Sequence, residues 1–290
     1  MNPRVALGPS PAGTGGKRLP GPTRFRRRGA IVLPSMTIAT ALGATEGTTC
    51  LVGAGGKKTT LYALAGRLDR AVLTATVRIP IFDREVASVR VTEDPVAALR
   101  GDDAPAGDAS ASGAPATDAF PLGLVPGRDR DDRYRGYDPE TVDALAAAHD
   151  GPVLVKADGA RTRLLKAPND REPQIPSGAD TVVPVASVGA VGEPLSAETV
   201  HRPERVAALV DADLGDEITP ELIGRVLAHE RGGLKGIPPG ATPVPLLNAV
   251  DDDADEAVAR EISAVVHEHA DVPRVVLARM IDETVVDVVA

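Results

Sequence analysis

The sequence has no tryptophan, three tyrosines, three phenylalanines and a single cysteine, Cys50. One cysteine excludes an internal disulfide and cannot by itself build a zinc site; beside its apolar run it reads as a buried structural thiol. No segment approaches the roughly 20 consecutive apolar residues that a membrane-spanning helix needs, so no membrane partner is expected. Aromatics make up 2% of the chain and hydrophobic residues 43%. The core must therefore be built from Val, Leu, Ile and Ala, which suits the buried strands of a largely parallel α/β sheet. A length of 290 residues allows one large domain or two small ones.

The net charge of -9 is unevenly spread. Residues 1–45 hold seven basic residues (Arg4, Lys17, Arg18, Arg24, Arg26, Arg27, Arg28) and no acid, so the acidity lies in the rest of the chain. An acidic body repels nucleic acid, and no nucleic-acid partner is expected. Arg26, Arg27 and Arg28 precede a mildly apolar stretch, Ala30 to Ala44, that superficially resembles an export signal. Pro34, Ser35 and two threonines interrupt it, and a nucleotide motif follows at once, so a cytoplasmic location is expected. Residues 1–35 read as a disordered basic arm, with Met36 as an alternative start, and 36–290 as one domain.

The periodicity predicts a strand over Thr49–Val52, then a glycine-rich turn. A helix follows with Leu61, Leu64, Ala65 and Leu68 on one face. Further strands are predicted at Ala71–Thr76 and Val86–Val91. Residues 101–132, rich in Asp, Ala, Gly, Pro and Ser, read as a disordered acidic insertion. After it come a helix Pro139–His149 with Asp138 at its N-cap and strands Pro152–Val155 and Asp180–Ala186. Helices Pro203–Val210 and Pro220–His229, a strand Val244–Leu247, a helix Ala254–His269 and late strands Val275–Leu277 and Val285–Val289 complete the pattern. The expected class is α/β: a three-layer P-loop NTPase-like fold with a mostly parallel sheet.

The turn Gly53-Ala54-Gly55-Gly56-Lys57-Lys58-Thr59-Thr60 is the strongest chemical signal. Its glycines allow backbone N–H groups to converge on an anion, and the next helix adds its positive end. A lysine there meets phosphate and a neighbouring hydroxyl ligates Mg²⁺. The spacing departs from the usual G-x-x-x-x-G-K-[ST], so either Lys57 or Lys58 is the phosphate lysine and Thr59 or Thr60 the metal ligand. Asp158 ends an apolar strand at the edge where open α/β sheets bind ligands; it is the candidate catalytic acid and, with Thr59, the candidate metal ligand. Arg161 and Lys166 are candidate anion contacts. Asn248-Ala249-Val250-Asp251 is similar to the base-reading N-K-x-D of GTPases without its lysine; Asn248 and Asp251 either read a base or cap the next helix. Thr74-Ala75-Thr76, His201 beside Arg202, and Lys235 have both site-lining and plain structural readings. His267 and His269 do not share a helix face, and no protein-built metal site is expected.

These segments, in order, resemble the YqeC family. The resemblance is carried by Val52-Gly53-Ala54-Gly55-Gly56-Lys57-Lys58-Thr59-Thr60-Leu61, Val155-Lys156-Ala157-Asp158-Gly159-Ala160-Arg161 and Lys166-Ala167-Pro168. Glu172-Pro173-Gln174-Ile175-Pro176, His201-Arg202-Pro203-Glu204 and Gly233-Leu234-Lys235-Gly236-Ile237-Pro238-Pro239-Gly240 continue it, with Lys156 standing where the family usually has Glu. The resemblance implies a part in maturing molybdenum hydroxylases that carry a labile selenium cofactor. The readings that follow are a Mg²⁺-dependent ATP- or GTP-binding accessory protein, a small-molecule kinase or ligase using the same loop, and a non-catalytic nucleotide sensor or delivery partner. The expected partners are the nucleotide and a molybdenum hydroxylase or its cofactor.

Overall fold

A computed structural model describes residues 36–100 and 119–290. The basic arm and residues 101–118 of the acidic insertion lie outside the described residues. Ten strands form one sheet: β1 (Thr48–Gly53), β2 (Val72–Ala75), β3 (Ser88–Val91), β4 (Leu122–Val125), β5 (Val153–Lys156), β6 (Thr181–Ser187), β7 (Thr242–Pro243), β8 (Leu246–Asn248), β9 (Val275–Arg279) and β10 (Thr284–Val289). The order is β10-β9-β8-β6-β1-β5-β2-β4-β3, with β7 beside β6. Every pairing in it is parallel except β9 with β10. The expected α/β class with a mostly parallel sheet is what the chain forms.

Alternation along the strands fixes what each face of the sheet meets. In β1, Leu51 packs with Leu61 and Leu64 of α2 (Lys57–Arg67) and with Ile38 and Leu42 of α1 (Ile38–Leu42). Cys50 and Val52 point the other way, into a cluster with Ala98 of α3 (Pro95–Arg100) and Val142 and Leu145 of α4 (Pro139–Ala148). Toward β9, a second cluster joins Leu247 and Leu277 to Val206 of α5 (Pro203–Val210), Ile223 and Val226 of α6 (Pro220–Ala228) and Ile262 of α7 (Asp253–His269). Period-2 alternation in buried strands thus demands helices on both faces. α1, which no periodicity announced, is only five residues long; Thr37 caps it and Gly43 ends it in the left-handed region. Cys50 is fully buried, and burial pushes its thiol far above the usual range, as a structural role requires.

The reading of 101–132 as disordered needs correction over residues 119–132. Leu122–Val125 is a fully buried strand between β2 and β3. Four residues are enough for a core strand but too few to show a period amid Pro, Gly and Asp. Gly123 is required there, since a Cβ would meet the Phe82 ring at 2.6 Å. Two short accessory sheets matter for the site. Ile79–Pro80 pairs with Arg133–Tyr134, which also pairs with Arg128–Arg130, and Leu165–Lys166 pairs in parallel with Val200–His201.

β1 lies between β5 and β6, where the chain's path turns from one half of the sheet to the other. Such a switch point, at the carboxyl ends of the strands, leaves a crevice. The packing beneath it should be sensitive to volume: Leu64→Ala, a fully buried α2 residue, is expected to lose about 2–5 kcal/mol. Urea unfolding checks this, as a lower midpoint at unchanged slope.

Candidate functional site

The chain leaves β1 at Gly53 and enters α2 at Lys57, with Gly56 as the N-cap. Gly53, Gly55 and Gly56 all take positive φ, at 88°, 77° and 145°. At Gly55 a Cβ would come within 2.6 Å of the Ser187 nitrogen, so the close approach as well as the dihedral selects glycine. The loop is tied on every side. Gly53 N–H donates to Asp158 Oδ2 (2.9 Å), Ala54 N–H to the Val185 carbonyl (2.8 Å) and Gly55 N–H to the Arg163 carbonyl (2.9 Å). Asn248 Nδ2 donates to the Gly55 carbonyl at 2.7 Å and its Oδ1 accepts from Met280 N–H at 2.9 Å. Among the described residues, the N–H groups of Gly56, Lys57, Lys58 and Thr59 have no protein acceptor. They are the open end of α2, and unpaired N–H groups at a helix start favour an anion.

The two lysines of the loop diverge. Lys57 is buried; its Nζ donates to the Gly53 carbonyl and lies 2.5 Å from Asp158 Oδ1. Lys58 is half-buried, lines the cleft and makes no ion pair among the described residues. Thr59 is exposed on the same cleft, whereas Thr60 is fully buried and its hydroxyl donates to the Gly56 carbonyl at 3.2 Å.

Asp158, 1% exposed, lies behind the loop and is not among the cleft-lining residues. Lys166 Nζ reaches its Oδ2 at 2.8 Å. Burial alone would raise this carboxyl, but Lys57 and Lys166 outweigh that and hold it below the usual range. The structure therefore brings Asp158 together with Lys57 and Lys166, and does not place it with Thr59 on one open surface. Lys166 continues to Glu172 Oε2 at 2.8 Å, and Arg202 Nη1 meets the same oxygen at 2.8 Å. Lys156 ends β5, 6% exposed, with Nζ donating to the carbonyls of Asp158 (2.7 Å) and Arg78 (2.9 Å). Burial, helped by nearby Lys57, pushes its ammonium down to about 7. His201, on the cleft wall, is pushed down to about 4 by burial and by Arg202.

The cleft holds about 780 Å³ and is lined by Lys57, Lys58, Arg78, Arg133, Lys156, Arg161, Arg163 and Arg202 against one carboxylate, Glu172. Four of the seven non-glycine residues with positive φ among the described residues (Arg161, Thr162, Arg202 and Ala249) line it too. Backbone strain of this kind gathers at functional sites. Asp251 is exposed and does not line the cleft; Asp252 caps α7 by accepting from Ala254 and Asp255 N–H. The hydroxyl of Thr74 donates to the Leu124 carbonyl (2.7 Å) and that of Thr76 to the Gln174 carbonyl (2.5 Å); Lys235 Nζ donates to the Asn169 carbonyl (2.5 Å). All three side chains thus spend a hydrogen bond on a backbone carbonyl, and none is among the cleft-lining residues. Arg78 and Arg133 escaped the sequence reading, because a two-residue pairing brings them to the cleft and leaves no periodic signal.

Removing the carboxylate charge should expose what it holds. Asp158→Asn leaves two buried ammonium groups facing an amide, and a loss of about 3–5 kcal/mol is expected. The depressed native pKa means that the contribution is fully present above the unfolded value, ~3.9. It is lost as pH falls through the native value. The variant's denaturation midpoint, followed from pH 7 downward, should accordingly fall less steeply in acid than that of the unaltered chain.

Comparison with known proteins adds a family and no solved fold. The model of the YqeC family, described as "YqeC protein", matches residues 49–204. The chain is 28% identical over 138 residues to "Uncharacterized protein YqeC" of Escherichia coli (strain K12), covering 47% of this chain and 54% of that protein. The match thus spans about half the length of that relative. No solved structure matches. The matched residues include the glycine-rich loop, Asp158, Lys166, Glu172 and Arg202, and over half of the sequence: the chain belongs to the YqeC family.

Proposed function

We propose that the cleft binds a nucleoside triphosphate by its phosphates, and that the chain uses it as an accessory protein in maturing selenium-dependent molybdenum hydroxylases. One observation carries the binding: the four unpaired N–H groups at the start of α2 open into a cleft with eight Lys or Arg and a single carboxylate. Loop N–H groups, a helix start and a flanking lysine are the parts a phosphate chain requires. Lys58 is the lysine free to meet it. The role in hydroxylase maturation comes from the family resemblance alone.

Magnesium fits less fully than phosphate. No group of three His, Cys, Asp or Glu side chains among the described residues could hold a metal ion, so the ion is proposed to arrive with the nucleotide, whose charge it would neutralise. Thr59 is the hydroxyl facing the cleft that would complete its shell. Asp158 would have to leave Lys57 and Lys166 to join it. That engagement favours a second reading over rapid hydrolysis: a nucleotide-sensing or delivery protein, in which Lys58 and the loop hold phosphate without an acid positioned to activate water.

Calorimetric titration with ATP, GTP and their non-hydrolysable analogues, with and without Mg²⁺, tests the proposal. A charge-assisted hydrogen bond of about 1.5–3 kcal/mol makes Lys58→Ala about ten- to a hundredfold weaker in binding. Absence of binding by any of these nucleotides, or an unchanged affinity in Lys58→Ala, would count against it. Asn248→Ala should weaken ATP and GTP alike, because the amide holds Gly55; a loss confined to GTP would make Asn248 a base reader.

A further inference from the structure

The cleft has more cations than one phosphate chain engages at the loop, and six of the eight, Arg161 and Arg202 among them, lie on segments remote in sequence from it. Arg161 is exposed on the cleft wall and has no ion pair or side-chain hydrogen bond among the described residues. Arg202, also on the wall, is held by Glu172. The series Lys57–Asp158–Lys166–Glu172–Arg202 alternates in sign, with links of 2.5, 2.8, 2.8 and 2.8 Å. It starts at the glycine loop and ends on a second cation at the cleft. Its cations outnumber its carboxylates by one, so positive charge remains before Arg161 is added. Both arginines have left-handed backbones (φ 48° and 66°), which costs roughly 1–2 kcal/mol at a non-glycine residue.

We propose that Arg161 and Arg202 form a second oxyanion subsite, which takes the phosphate or carboxylate of a co-ligand sharing the cleft with the nucleotide. The inference rests on the nucleotide reading above and specifies what else enters the same cleft. Guanidinium groups suit the task because their planar donors match two oxygens at once. Glu172 occupies one edge of Arg202 and fixes its direction, and Arg161 is free to close on the ligand. The volume, about 780 Å³, is toward the upper part of the roughly 300–1,000 Å³ range of small-molecule sites, with room for a small anion beside a nucleotide. The ion-pair series joins the two subsites physically, so that a group at one end is positioned by residues that also shape the other.

The test is equilibrium dialysis of the full chain saturated with a non-hydrolysable ATP analogue, with labelled inorganic phosphate in one arm and labelled malonate in the other. Retention of about one equivalent of either anion is expected, and which arm retains it tells a phosphate from a carboxylate co-ligand. Arg161→Gln should weaken that anion at least tenfold and the nucleotide by a clearly smaller factor, with Lys58→Gln showing the reverse pattern. Three results would overturn the subsite: retention of neither anion, retention by nucleotide-free protein that is lost once the analogue is added, or Arg161→Gln weakening the nucleotide as Lys58→Gln does. Failure of the nucleotide itself to bind is a separate result. It removes the functional reading, whereas anion retention by nucleotide-free protein that Arg161→Gln abolishes would still support the subsite.

Discussion

A buried carboxylate shared between two ammonium groups organises the glycine loop at the end of the sheet. Isolated, any one of Asp158, Lys57 or Lys166 would cost several kcal/mol to bury. Together they compensate, because Asp158 offers one oxygen to each lysine and still accepts the Gly53 N–H. The arrangement dictates the loop's character. Lys57 is drawn under the loop, which leaves Lys58 and the open N–H groups of α2 as its outward chemistry. It also reaches across the chain, since Lys166 and Glu172 carry the same ion-pair logic to Arg202 at the head of α5.

The loop is held as tightly from the other side. Asn248, at the end of β8, spends both ends of its amide on backbone: it donates to Gly55 and accepts from Met280. On the proposed reading, a phosphate arriving there would meet donors already in place and would not have to order a flexible segment. Such preorganisation improves affinity mainly by lowering the cost of association. The accessory pairings act in the same way at longer range. Ile79–Pro80 against Arg133–Tyr134, and Leu165–Lys166 against Val200–His201, are too short to stabilise much, yet they deliver Arg133, His201 and their neighbours to the rim.

Most of the sheet was legible in the sequence because its strands are Val- and Leu-rich and alternate with amphipathic helices. β1, β2, β5, β6, β9 and β10 lie within a residue or two of their predicted bounds, and so do α4 to α7, while α2 forms where the spacing of Leu61, Leu64 and Ala65 predicts a helix. β4 was hidden, since Leu122–Val125 is a four-residue apolar run in a segment of disordered composition. α1 was hidden by its length. In the site, the loop and Asp158 were visible as a glycine cluster and a strand-end acid. What could not be read was direction: no spacing rule says that Lys57 turns inward and Lys58 outward, or that Asp158 faces two lysines behind the loop. Those choices follow from three-dimensional compensation of buried charge. Lys166, read as a candidate anion contact, is 4% exposed and is held between Asp158 and Glu172, a placement that its sequence position does not announce.

The contrast between the cleft and the rest of the molecule has a consequence for selectivity. The chain's net charge is -9, whereas the cleft gathers eight Lys or Arg against one carboxylate, and a concave site lined by one sign of charge focuses field lines inward. A molecule small enough to enter the cleft feels mainly the attraction inside. On the proposed reading, this contrast would favour anions small enough to enter the cleft over extended ones.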